Sequence, residues 1–153
     1  MSADLHIANC LRLAHEDLVA AQALSAIDNR NDVYHLQQAA EKILLALLNS
    51  ENIKAERRDS HRLDVLRDLL PNENALKARM SPITFLTVYA TTYRYPKDAG
   101  RLPQRGEKDE IEAAAKMLQV ILADAAAHFG VELTDSDRVP AQRTIPPRIW
   151  ACC

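Results

Sequence analysis

Apolar residues recur every three to four positions along most of the chain, the period of an α-helix with one buried face. Ile7, Leu11, Ala14, Leu18, Ala21 and Leu24 form one stripe, with Glu16, Asp17 and Gln22 off it, and predict a helix over 3–27. The polar run 28–31 breaks it, and Asp32 is placed to cap a second helix with its carboxylate. That helix, 32–48, turns Val33, Leu36, Ala40, Ile43, Leu44 and Leu47 inward and Tyr34, His35, Gln38, Glu41 and Lys42 elsewhere. Residues 49–59 are polar and read as loop. Ser60 is the expected cap of a helix over 61–70, which Pro71 stops. Ser81 and Pro82 open another helix that runs to about Thr92. Pro96 drives Tyr95 out of helical geometry, and the Pro- and Gly-bearing stretch 96–106 reads as loop. The last long helix, 107–129, carries Glu107, Asp109 and Glu110 at its positive end, an apolar stripe from Ile111 to Phe129, and Gly130 just past its C-terminus. Beyond it, Pro140, Pro146 and Pro147 and the loss of periodicity predict an extended tail, with Ile145, Ile149 and Trp150 as the residues able to dock it.

Three long and two short amphipathic helices pack most simply as an all-α, antiparallel up-and-down bundle of four or five helices. The expected division is a bundle over 1–130 and a tail over 131–153. A length of 153 residues suits one domain with a core that needs no staples. Aromatic residues are 5% and glycines number 3, too few for a β-sandwich or barrel. Neither GxGxxG nor a P-loop occurs, so no nucleotide cofactor of those kinds is expected. The longest apolar run, Ile43 to Leu48, is too short to span a bilayer, and charges interrupt any signal-peptide pattern in residues 1–20. Cys10, Cys152 and Cys153 form no CxxC pair, so neither zinc nor a disulfide framework is expected and a cytoplasmic setting is the natural reading.

The formal net charge of −2 gives no bulk preference for nucleic acid. Its distribution says more. Residues 71–105 carry Lys77, Arg79, Arg94, Lys97, Arg101 and Arg105 against only Glu73 and Asp98. Residues 1–30 and 106–130 are each net acidic. The basic stretch coincides with Tyr93-Arg94-Tyr95-Pro96. A basic loop interleaved with tyrosines can hold a phosphate and stack a base; it can equally be a solvated loop that complements an acidic helix.

Three stretches, in order and at matching spacing, are similar to one family. Tyr34-His35-Leu36-Gln37-Gln38-Ala39-Ala40-Glu41-Lys42 resembles the helix signature of the HEPN domain family. Ser60-His61-Arg62-Leu63-Asp64-Val65-Leu66 resembles its His-Asx-Leu-x-x-Leu segment, with Arg62 at the Asx position, and Tyr93-Arg94-Tyr95-Pro96 resembles its Arg-Tyr-Pro segment. Leu45 stands where many members carry a second Lys. The resemblance covers about Leu5 to Phe129. It implies a helical bundle, usually a homodimer. Members work beside a small nucleotidyltransferase, act as RNases in toxin–antitoxin and defence systems, or bind nucleotides or RNA.

The family's RNase members carry an Arg followed by a polar residue, with a His after four to six intervening positions, in the second half of the bundle. Metal-free RNA cleavage needs a base for the 2′-hydroxyl, an acid for the leaving oxygen and a cation for the phosphorane. Here the corresponding Arg is Arg94, but Ala99, Gly100 and Arg101 stand where the His belongs. The literal spacing occurs instead at Arg30 and His35, at the start of the second helix, where a turn arginine and a half-exposed helix histidine are the simpler reading. The expectation is therefore a binder of nucleotide or RNA, or an accessory partner of a nucleotidyltransferase, without catalysis. The alternatives are a metal-independent endoribonuclease using Arg94 with His35, Arg30 or His61, and a helical docking scaffold. Tyr93, Arg94, Tyr95 and Lys97 are the candidate phosphate and base contacts, and Gln38, Glu41, Lys42 and His61 the candidate cleft around them.

Overall fold

Two long helices, α1 (Ala3–Ala26) and α2 (Asp32–Ser50), form a hairpin, because residues 27–31 are too few to let them do anything but run antiparallel. The computed structural model describes residues 3–134 of the chain. The predicted stripes are found buried, except Leu24 near the end of α1, which is half-buried: Ile7, Leu11, Ala14, Leu18 and Ala21 on α1, and Val33, Leu36, Ala40, Ile43, Leu44 and Leu47 on α2. α2 is the central element. Ala39, Ala46, Leu48, Gln37 and Glu41 are buried as well, so it is enclosed on more than one side. Each fully buried Leu or Ile contributes about 2 kcal/mol relative to exposure.

The capping of α2 differs from expectation. Asp32 is the first helical residue and does not cap; its Oδ1 accepts the Val33 N–H at 2.7 Å, and the carboxyl is buried for another purpose described below. The next helix, α3 (Leu63–Leu69), is shorter than predicted and is not capped by Ser60. The Leu63 N–H is instead accepted by Thr87 Oγ1 at 3.1 Å, from a segment distant in sequence. A further helix, α4 (Ala75–Met80), was not expected. Asn74 caps it by accepting the Leu76 N–H at 3.0 Å. The segment Ser81–Tyr89 continues from α4 as a 3-10 helix rather than an α-helix. Thr84 Oγ1 donates to the Ser81 carbonyl at 3.0 Å and Thr87 Oγ1 to the Thr84 carbonyl at 2.9 Å. These i to i−3 hydroxyl bonds draw each turn into three-residue spacing.

The last helix, α5 (Lys108–Phe129), buries Ile111, Ala114, Leu118, Ile121, Leu122 and Ala125, as its stripe predicts, and packs on α1 and α2. Gly130 takes φ 65°, the left-handed residue that ends the helix, and the Val131 N–H closes on the Ala126 carbonyl at 2.9 Å. Among the described residues there are five α-helices and no strand, so the fold is all-α, and no helix is long and apolar enough to cross a membrane. Of the predicted tail, residues 131–134 are described: Val131 and Leu133 pack against the core, and the Glu132 carbonyl accepts Arg12 Nε at 3.0 Å. Residues 135–153, with Cys152, Cys153 and the docking candidates, lie outside the described residues.

Candidate functional site

The residues between Ser81–Tyr89 and α5 are shaped by a short 3-10 turn, Thr92–Arg94, and then by a loop tied down at several points. Arg30 Nη2 donates to the Pro103 carbonyl at 2.7 Å. The Gly106 N–H donates to the Tyr89 hydroxyl at 2.9 Å. Arg105 pairs with Asp32, whose side chain is only 3% exposed. Burial pushes the Asp32 carboxyl above its ordinary range, against the opposing pull of Arg105. Within the loop, Ala99 and Gly100 both take positive φ, and the Lys97 N–H closes the turn on the Arg101 carbonyl at 2.7 Å. The basic stretch is thus presented on a folded loop.

Arg94 is exposed and lies between two rings. Its guanidinium stands 4.7 Å from the centre of Tyr34 on α2 and 5.9 Å from that of Tyr95. Stacking uses the face of the guanidinium and leaves its in-plane N–H donors free for an anion. Among the described residues no carboxylate pairs with Arg94. Tyr95 is 65% exposed, so one of its faces is open. Tyr34 in turn makes an edge contact with His35, 5.3 Å between ring centres.

From His35 a polar ladder runs along α2. Asp17 of α1 accepts from His35 Nδ1 at 2.9 Å and from Lys42 Nζ at 2.5 Å. Lys42 also reaches Gln38 Oε1 at 3.4 Å, and Gln38 Nε2 donates to Gln37 Oε1 at 2.7 Å. Gln37 Nε2 donates to Glu41 Oε2 at 3.1 Å, and the same oxygen accepts from His61 Nδ1 at 3.0 Å. Each imidazole is held by a carboxylate through Nδ1, so its Nε2 takes no part in that pair. The specific helix string of the sequence is therefore one connected network that begins at His35 and ends at His61.

The expected site residues divide accordingly. Arg94, Tyr95 and Lys97 are exposed. Gln38, Glu41, Lys42, His35 and His61 are brought together by the ladder, although Glu41 is buried and engaged with Gln37 and His61, so it acts within the network rather than on a ligand. Tyr93 does not fit its expected role as a base contact. It is 5% exposed, packs edge-on against Tyr89, and is covered by Arg30, 4.4 Å from its ring centre. Arg30 is likewise committed to Tyr93 and to the Pro103 carbonyl, which explains the Arg30–His35 spacing as local structure. Asp17, Tyr34 and Gln37 were not among the expected site residues. Asp17 was legible in principle: a hairpin turning near residue 29 sets residue 17 level with residues near 41. Among the described residues no group of three His, Cys, Asp or Glu is arranged to hold a metal ion.

An all-α bundle whose central helix carries this network, beside an arginine held between tyrosines, defines a helical domain with a cationic and aromatic surface site. The chain belongs to the HEPN domain family: the model of that family matches residues 7–127. Membership supports a role connected with nucleotides or RNA at the level of the family. None of the curated proteins and none of the solved structures matches the chain.

Proposed function

We propose that this protein binds a nucleotide or single-stranded RNA, without cleaving it, at the surface formed by Tyr34, Arg94 and Tyr95. The observation that carries this reading is the exposed guanidinium of Arg94, held between two tyrosine rings and paired with no carboxylate among the described residues. Its free donors suit a phosphate, and the open face of Tyr95 suits a base. Lys97 and Arg101 on the adjacent turn add positive potential. The turn after Arg94 supplies no imidazole, since Ala99, Gly100 and Arg101 occupy the positions where one is needed.

A second reading rests on the Asp17–His35 pair, which lies one ring contact away from Arg94. In a metal-independent endoribonuclease, His35 Nε2 would take the 2′-hydroxyl proton while the 2′-oxygen attacks phosphorus. The P–O5′ bond would break to leave a cyclic phosphate, and water would protonate the leaving oxygen. Incubating end-labelled RNA with the protein in excess chelator separates the two. Intact RNA with a retarded, bound fraction is expected. Cleavage that disappears in both His35→Ala and Arg94→Ala would replace binding by catalysis.

A further inference from the structure

A groove of about 610 Å³ runs between α1 and α5. Its floor is apolar, from Leu18, Ala21, Leu36 and Ile111, and it stays open because Ala21 and Ala115 are too small to close the space between the two helices. A second hollow of about 310 Å³ shares Leu18, Gln22 and Gln119 with it and ends at Leu133. The chain itself leads to that end. Gly130 reverses its direction, Arg12 holds the Glu132 carbonyl, and Leu133 lines the hollow. The last described residue, Thr134, therefore leaves the bundle at the mouth of the groove.

We propose that residues 145–150 of the same chain dock in this α1–α5 groove. The segment Ile145-Pro146-Pro147-Arg148-Ile149-Trp150 carries three large apolar side chains. The groove spans α1 from His15 to Ala26, about 17 Å at 1.5 Å per residue. The stretch from 135 to 150 reaches about 50 Å when extended, so length imposes no obstacle. Pro146 and Pro147 fix an extended backbone with little conformational entropy left to lose, which favours a segment that lies along a groove. Docked there, Trp150 removes about 150–250 Å² of its own surface from water.

The chain contains a single tryptophan, Trp150, so its fluorescence reports on the segment alone. In the full chain, Trp150 emission is expected to the blue of free tryptophan amide and to be quenched by acrylamide several-fold more slowly. Ala115→Glu, at a half-exposed position on the groove, and the tail variant Ile145→Asp/Ile149→Asp, which substitutes no residue of the bundle, are both expected to abolish that shielding with unchanged helical circular dichroism. The expected shielding is independent of protein concentration. Trp150 as quenchable as the free amide in the parent chain, or shielding that survives the tail variant, would overturn the proposal. Shielding lost on dilution together with a fall in mass would overturn it in favour of a second copy's tail.

Discussion

Replacing Arg105 by Met removes the partner of a nearly inaccessible carboxylate. Asp32 is 3% exposed and keeps the backbone N–H groups of Val33 and of Asp32 itself as further partners, whereas Arg105 is 25% exposed. Breaking a buried pair from one side costs about 3–5 kcal/mol, chiefly because the remaining charge is stranded. Water can reach part of the space that Arg105 vacates, which lowers the expected loss to or just below the bottom of that range, about 2–3 kcal/mol. Asp32→Asn leaves an amide that still accepts from Val33, and a half-exposed Arg105 that can turn toward Asp28, 3.6 Å away; about 1 kcal/mol is expected. The double variant strands no charge, so its cost falls short of the sum by about 1–2 kcal/mol. The pH dependence follows from the sign of the Asp32 shift. A carboxyl whose native pKa is raised contributes its stability fully below the ordinary carboxylate range, and loses it as the pH rises through the native value. Without Arg105 the shift grows, so the deficit of Arg105→Met is small near pH ~4 and largest at neutral pH. Urea unfolding followed by circular dichroism, at several pH values, measures all four proteins. A neutral-pH deficit below about 0.5 kcal/mol, or strict additivity in the double variant, would refute the reasoning.

Other consequences are as direct. A Cβ added at Gly106 would stand 2.6 Å from the Tyr89 hydroxyl, at the end of a ring fixed in the core. Gly106→Ala is therefore expected to cost about 1–3 kcal/mol in the same urea assay, and a neutral outcome would show that the ring can move aside. Thr87→Val keeps the shape but removes the acceptor of the Leu63 N–H; a loss of about 1 kcal/mol is expected, with fraying at the start of α3 visible by amide hydrogen exchange. His128 sits in the last turn of α5, where the helix dipole favours its charged form, yet burial holds its pKa below the ordinary value. Its contribution to stability is present at neutral pH and is lost as the pH falls through the ordinary imidazole range, because the unfolded chain then binds the extra proton. Proton NMR titration of the ring is expected to give a midpoint below that of a free imidazole; an equal or higher one would contradict the burial argument.

Most of the fold was legible because it rests on long stripes. The α1, α2 and α5 faces repeat over several turns, and each stripe found the core it implied, its half-buried end residues Leu24 and Phe129 apart. Short elements were harder to read. α4 depends on one cap, Asn74, within a stretch that has too few turns to show a period. The 3-10 geometry of Ser81–Tyr89 depends on threonine hydroxyls choosing i−3 carbonyls, which spacing alone does not reveal. The candidate site was legible where it is local: Arg94, Tyr95 and Lys97 stand in one run, and Gln38, Glu41 and Lys42 share one helix. Tyr93 was misread because two tyrosines flanking one arginine carry no signal of which one faces inward; Arg30, from another element, covers it. Asp17 is a tertiary partner, and only the hairpin register brings it to His35 and Lys42.

The central claim is that Arg94 and its tyrosines bind a nucleotide or RNA. The most direct measurement is a fluorescence-anisotropy titration of a short labelled single-stranded RNA with the full chain, with Arg94→Ala, with Tyr95→Ala, and with Arg79→Ala as control, since Arg79 is paired to Asp124. Saturable binding that weakens with added salt is predicted, reduced about ten-fold by loss of Arg94 and by a similar factor through loss of stacking on Tyr95. Arg79→Ala is predicted to bind like the parent. No binding by the parent, or equal binding by all four proteins, would contradict the account.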